Sequence, residues 1–185
     1  FIESDPGASI VYGQKTKNKE ELQEMIKQDK WDDIYKKYPV ADGNFVYLPA
    51  GCLHAMGKGN VVYEIQQSTD VTYRFYDYHR KDKDGNEREL HLKQAIDCLS
   101  FDKDIDKNDV HPVVKVHENV KETIFISNDS FTVSQLLVIG KCQYKCDNYQ
   151  LATVVKGSGK GDNFLIPTNS SIELDGQMMI MMTTK

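Results

Sequence analysis

The chain has 185 residues, 39% hydrophobic and 28% charged, with a formal net charge of −5. That is an ordinary globular mix, with room for one domain or two small ones. An acidic balance without a Lys/Arg run argues against nucleic acid as a main partner, and no apolar stretch approaches membrane-spanning length. Cys52, Cys98, Cys142 and Cys146 form no disulfide framework, and with no secretion signal in view a reducing cytoplasm is expected. Cys142 and Cys146 lack the second pair that a zinc knuckle needs, so they read as free thiols.

Residues 1–12 read as strand, turn and strand, with Pro6 presetting a turn dihedral and Gly7 tolerating positive φ. The chain opens on this strand at Phe1, so the true N-terminus is expected upstream. Asn18 is the expected N-cap of a helix whose apolar face carries Leu22, Met25 and Ile26. A second short helix is expected over 32–38, stopping before Pro39. Residues 45–48, 61–67 and 71–78 are rich in β-branched and aromatic side chains and predict strands. Residues 81–87 form a charged loop, and 91–99 return to helical spacing. A charged linker follows. Beyond it, strands are expected at 123–126, 131–139, 151–155, 164–166, 171–174 and 178–182.

The string most informative about chemistry runs from Gly43 to His54: Gly, five residues, Pro49, one residue, Gly51, two residues, His54. Pro49 and Gly51 break a strand into a tight corner, and the chain re-enters the next strand with an imidazole held inward. A neutral imidazole nitrogen is a good zinc ligand. Alone, the same residues also suit a buried, hydrogen-bonded histidine beside a hairpin. The spacing is that of the second sequence box of the cupin barrel, except that the Asn that usually ends the box is here Lys58.

Farther on stand Tyr63-Glu64-Ile65-Gln66-Gln67-Ser68-Thr69-Asp70, then Val71-Thr72-Tyr73-Arg74-Phe75-Tyr76-Asp77-Tyr78, then Arg88-Glu89-Leu90-His91. From residue 1 to about 99 this resembles the bacterial class I mannose-6-phosphate isomerases, zinc-dependent members of the cupin superfamily. The resemblance implies a mainly β fold: a cupin, jelly-roll-like barrel with a few helices, followed by a second, degenerate cupin-like β-domain. Expected boundaries are 1–101 for the partial metal-binding domain, 102–112 for the linker and 113–185 for a half without metal ligands.

The resemblance also implies roles. His54 is expected to bind zinc, and Arg74 to be the catalytic arginine. The reaction would interconvert mannose 6-phosphate and fructose 6-phosphate through a cis-enediol. Strand parity would aim Glu64, Gln66, Asp70 and Arg74 into one pocket. There Glu64 would shuttle the proton or bind hydroxyls, Asp70 would orient Arg74 or bind substrate, and Gln66 would bind substrate. A solvated polar face with Glu–Arg pairing is the plainer alternative. The family's other zinc ligands, a Gln, a His and a Glu, are expected upstream of Phe1, so this chain alone is expected to be incomplete as a zinc site. The expected partners are a small sugar phosphate and that upstream segment, with no nucleic acid and no membrane. A non-catalytic sugar-binding or assembly cupin is the alternative function; an iron dioxygenase ranks last, because it has no use for the Asp-Val-Thr-Tyr-Arg string.

Overall fold

A computed structural model describes residues 1–69, 71–102 and 108–185. They divide into two compact units, Phe1–Asn108 and Asp109–Lys185.

In the first unit, β1 (Glu3–Ser4) and β2 (Ser9–Gln14) flank the expected turn, where Gly7 takes φ +81°. Alternation along β2 buries Ile10 and Tyr12. Helix α1 (Lys19–Lys27) starts where the Asn18 side chain accepts from the Glu21 N–H at 2.8 Å. Its face buries Leu22 completely. Helix α2 (Trp31–Ile34) is shorter than expected, because the chain turns at once into β3 (Tyr35–Pro39). Tyr38 lies opposite Ile10 in the ladder with β2, and its ring meets Tyr12 edge-on at 5.5 Å. Cross-strand pairing of this kind outweighs helix propensity over residues 35–38.

β4 (His54–Ala55) pairs with the other edge of β2, giving the sheet order β3-β2-β4; β5 (Asn60–Val61) pairs with β1. Helix α3 (Leu92–Cys98) completes the unit. Leu22, Ile34, Tyr35, Leu53, Phe75, Ala95 and Ile96 form one core; Ala8, Ile10, Tyr12, Val40 and Cys52 form another. The strands expected at 45–48 and 71–78 are not formed, and of 61–67 only Val61 is in a ladder. The antiparallel register sets Glu3 opposite Val61 and Ser4 opposite Asn60, and the β1–β5 ladder ends at Val61. A strand exists only through its partner's hydrogen bonds.

The expected linker falls partly on residues 103–107, outside the described residues. Asn108, within the expected linker, is half-buried: its side chain accepts from the Tyr47 N–H at 3.1 Å and donates to the Phe45 carbonyl at 2.8 Å. These two bonds make Asn108 part of the first unit and hold down the 45–47 segment, which lacks a ladder of its own.

The second unit is all antiparallel strand. It runs through β6 (Val113–His117), β7 (Val120–Ser127), β8 (Thr132–Ile139), β9 (Cys142–Cys146), β10 (Gln150–Gly157), β11 (Asn163–Ile166), β12 (Ser170–Leu174) and β13 (Gln177–Thr184). Six form a sheet in the order β11-β10-β13-β8-β7-β6, and β12 pairs with β9. The two layers enclose Val120, Leu136, Val138, Cys146, Ala152, Val154, Ile166, Leu174, Ile180 and Met182. β6 and β9 were not among the expected strands, although in β9 Cys142, Tyr144 and Cys146 alternate with Gln143 and Lys145 as a half-buried strand requires. All four cysteines are free. No helix of the described residues is long and apolar enough to cross a membrane.

Ile180 is fully buried at the centre of the six-stranded sheet. Ile180→Ala is expected to cost the second unit about 2–5 kcal/mol, measured by denaturant unfolding followed through a probe confined to that unit.

Candidate functional site

The corner predicted between Gly43 and His54 is present, and its shape follows from backbone contacts. The Cys52 N–H donates to the Pro49 carbonyl at 3.1 Å, and the Gly13 N–H to the Leu53 carbonyl at 2.7 Å. Gly51 has φ +82°, and its carbonyl accepts from the Ser100 N–H at 3.0 Å. A Cβ at Gly51 would lie 2.9 Å from the Cys98 carbonyl oxygen and 3.1 Å from the Ser100 nitrogen. Only glycine combines that dihedral with that approach.

The corner delivers His54 opposite Tyr12 in the ladder. Its Nδ1 lies 3.0 Å from the Cys52 carbonyl oxygen. A carbonyl only accepts, so this bond places the proton on Nδ1 and leaves Nε2 as the acceptor nitrogen. That is the tautomer in which Nε2 can ligate a metal, oriented by a backbone carbonyl behind the ring. His54 itself is exposed.

Arg74 is half-buried. Its N–H donates to His91 Nδ1 at 3.1 Å, its carbonyl accepts from the His91 N–H at 2.8 Å, and its Nη1 donates to the Glu89 carbonyl at 3.0 Å. The next residue, Phe75, belongs to the core, and Tyr76 stacks on Trp31 with ring centres 4.2 Å apart. These neighbours anchor the segment on both sides of Arg74.

Asp77 is 5% exposed and lies between two arginines. Arg88 grips its carboxylate with both Nε and Nη2, the former at 2.7 Å, and Arg80 Nη2 donates at 2.8 Å. The Arg88 hydrogen bond, with Arg80 nearby, holds the Asp77 carboxyl below its ordinary range. Burial pushes the Tyr35 hydroxyl well above its ordinary value, so it stays a neutral phenol.

His54, Arg74, Asp77, Arg80, Arg88 and Tyr35 all line one cavity of about 380 Å³ in the first unit. Three guanidiniums against one carboxylate make it cationic, fit for an anionic or polyhydroxylated guest. Glu64 and Gln66 are exposed and are not among its lining residues. Asp70 lies outside the described residues. Sequence reasoning missed Asp77, Arg80 and Arg88 as a cluster; the Asp and Arg types in one short stretch were the available signal. Among the described residues no group of three His, Cys, Asp or Glu side chains is placed to hold a metal ion. His54 therefore fits one ligand position, and the described residues do not complete a metal site around it. His79 lies 3.5 Å from Glu87, and His111 2.9 Å from Asp109.

No protein-family model matches the chain. It is 37% identical to a mannose-6-phosphate isomerase of Streptococcus mutans, over 97% of this chain and 60% of that protein. It is 35% identical to the Bacillus subtilis mannose-6-phosphate isomerase ManA, over 90% of this chain and 56% of that protein. The chain thus spans a little over half the length of these relatives. Among solved structures, the mannose 6-phosphate isomerase of Bacillus subtilis superposes over 100% of this chain and 62% of its own, with TM-score 0.93 and 28% identity. The chain is mainly β with a few helices and shares the cupin fold of that enzyme.

The Asp77 pairing sets a pH dependence. Its folded-state value lies below the ordinary 3.8, so the carboxylate's contribution is fully present above that value. It is lost as pH falls through the lower, folded-state value. Thermal melts of wild type and Asp77→Asn are expected to differ from neutral pH down to about pH 4 and to converge below it, with wild type the more stable wherever they differ.

Proposed function

We propose that this chain forms part of the active site of an aldose–ketose isomerase that interconverts mannose 6-phosphate and fructose 6-phosphate. The observation that carries the reading is the cationic cavity lined jointly by His54 and Arg74. The likeness over nearly the whole chain to proteins named as that isomerase supports it.

The reaction moves a proton between C2 and C1 of the open-chain sugar. In the cis-enediol, negative charge develops on O1 and O2. A guanidinium cannot give up its proton at neutral pH, so Arg74 serves as a fixed donor to those oxygens and not as a base. Its backbone is held at both N–H and C=O, which lowers the reorganisation needed as charge builds. A neutral phenol at Tyr35 adds a hydroxyl to the same wall.

Zinc dependence belongs to the same proposal. The tautomer fixed by the Cys52 carbonyl suits His54 as one ligand, with the others contributed by residues outside this sequence, upstream of Phe1. A bound zinc ion would polarise the sugar oxygens or orient the open chain. Glu64 is assigned to proton transfer, and Asp70 and Gln66 to substrate binding, on the family resemblance and side-chain alternation alone.

The test uses the full-length protein, with bound zinc read by mass spectrometry and fructose 6-phosphate formation followed enzymatically. Arg74→Lys is expected to keep its zinc and lose roughly a hundred- to a thousand-fold in turnover. His54→Ala is expected to lose zinc and activity together. Near-normal turnover in Arg74→Lys would make Arg74 a structural residue, and tight zinc retention in His54→Ala would end its assignment as a ligand.

A further inference from the structure

We infer that His91 is a positioning residue for Arg74, acting through Nδ1 as a hydrogen-bond acceptor. The inference rests on the isomerase reading for its effect on turnover, but the contact itself stands on geometry.

His91 takes both backbone groups of Arg74. It accepts the Arg74 N–H at Nδ1, 3.1 Å away, and donates its own N–H to the Arg74 carbonyl at 2.8 Å. Two residues apart, the Glu89 carbonyl accepts from Arg74 Nη1 at 3.0 Å. One short segment thus fixes both the main chain and the guanidinium of Arg74. His91 does not line the cavity, so it reaches a bound sugar only through Arg74.

The position of His91 makes this use of its side chain informative. It is the N-cap of α3, with its carbonyl accepting from the Ala95 N–H at 2.8 Å, yet its side chain makes no capping bond. Ser, Thr, Asp and Asn are the favoured residues there, because their oxygens satisfy the helix's own N–H groups. A histidine that leaves those donors and bonds across 17 residues to Arg74 instead serves the cavity wall. To accept at Nδ1 the ring must carry its proton on Nε2, the opposite tautomer to that of His54. The ring is also steadied edge-on against Tyr73, with centres 6.3 Å apart.

Asparagine places its side-chain oxygen close to where histidine has Nδ1, and is itself a good N-cap. The complete protein is compared with His91→Ala and His91→Asn, each corrected for its folded fraction. Turnover in His91→Ala is expected to fall by about 100-fold, the cost of a displacement near 1 Å at a catalytic group, mainly in kcat with KM little changed. His91→Asn is expected to recover most of that loss. Hydrogen exchange read by mass spectrometry is expected to show the Arg74 amide deprotected in His91→Ala and protected in His91→Asn. Wild-type turnover in His91→Ala, or an Asn variant as impaired as Ala, would overturn the inference. If the complete wild-type protein shows no isomerase activity, the isomerase reading fails, and exchange at Arg74 still decides the positioning: equal protection in wild type and His91→Ala overturns it.

Discussion

The first unit depends on a place where two backbones touch. At Gly51 the chain passes so close to Cys98 and Ser100 that no side chain fits between them. The contact couples the corner before His54 to the C-terminal end of α3. The same helix starts from His91, which occupies its N-cap position and holds Arg74. Helix α3 therefore works as a rigid spacer of about 10 Å, seven residues at 1.5 Å each. One of its ends is tied to each of the two residues that define the cavity. Ala95 and Ile96 bury its inner face in the core, which keeps the spacer from rotating.

Electrostatics then give the cavity its character. Arg80 and Arg88 would repel one another if left alone. Asp77 bonds to both, and its burial strengthens each bond by excluding water. One carboxylate thus gathers two cations beside a third, Arg74, and the wall keeps a net positive charge. A planar guanidinium has five N–H donors, more than its known protein partners consume, so such a wall suits a guest rich in oxygen.

Much of this was legible in the sequence where local chemistry decides structure. Asn18 caps α1 as expected, Gly51 sits in the corner read from the Gly43–His54 string, and six of the eight strands of the second unit fall where β-rich stretches were read. The sequence was least informative where structure depends on a distant partner. Residues 62–67 and 71–78 have the composition of strands but form none, since composition alone does not set ladder pairing. Tyr35 to Tyr38 went the other way, from expected helix to strand, because β2 lay ready to pair with them. The cysteine spacing of β9 drew attention from its alternation. His54 and Arg74 could be singled out from motif residues, whereas the partnership of Arg74 with His91 spans a whole loop and leaves no local signal.

The position of β13 has a consequence for how the second unit comes into being. This strand lies between β8 and β10, pairing with both along nearly its whole length. Hairpins β6–β7–β8 and β10–β11 are neighbours in sequence and can close early, each for a small loop entropy. Neither can join the other until β13 arrives to fill the gap between them. During synthesis the two half-sheets must wait, with the unpaired edges of β8 and β10 exposed, until β13 has left the ribosome. That interval is when the nascent unit is most open to mispairing with other chains. The methionines of β13 suit a strand that must wedge in last, because their flexible side chains adapt to a core already partly built.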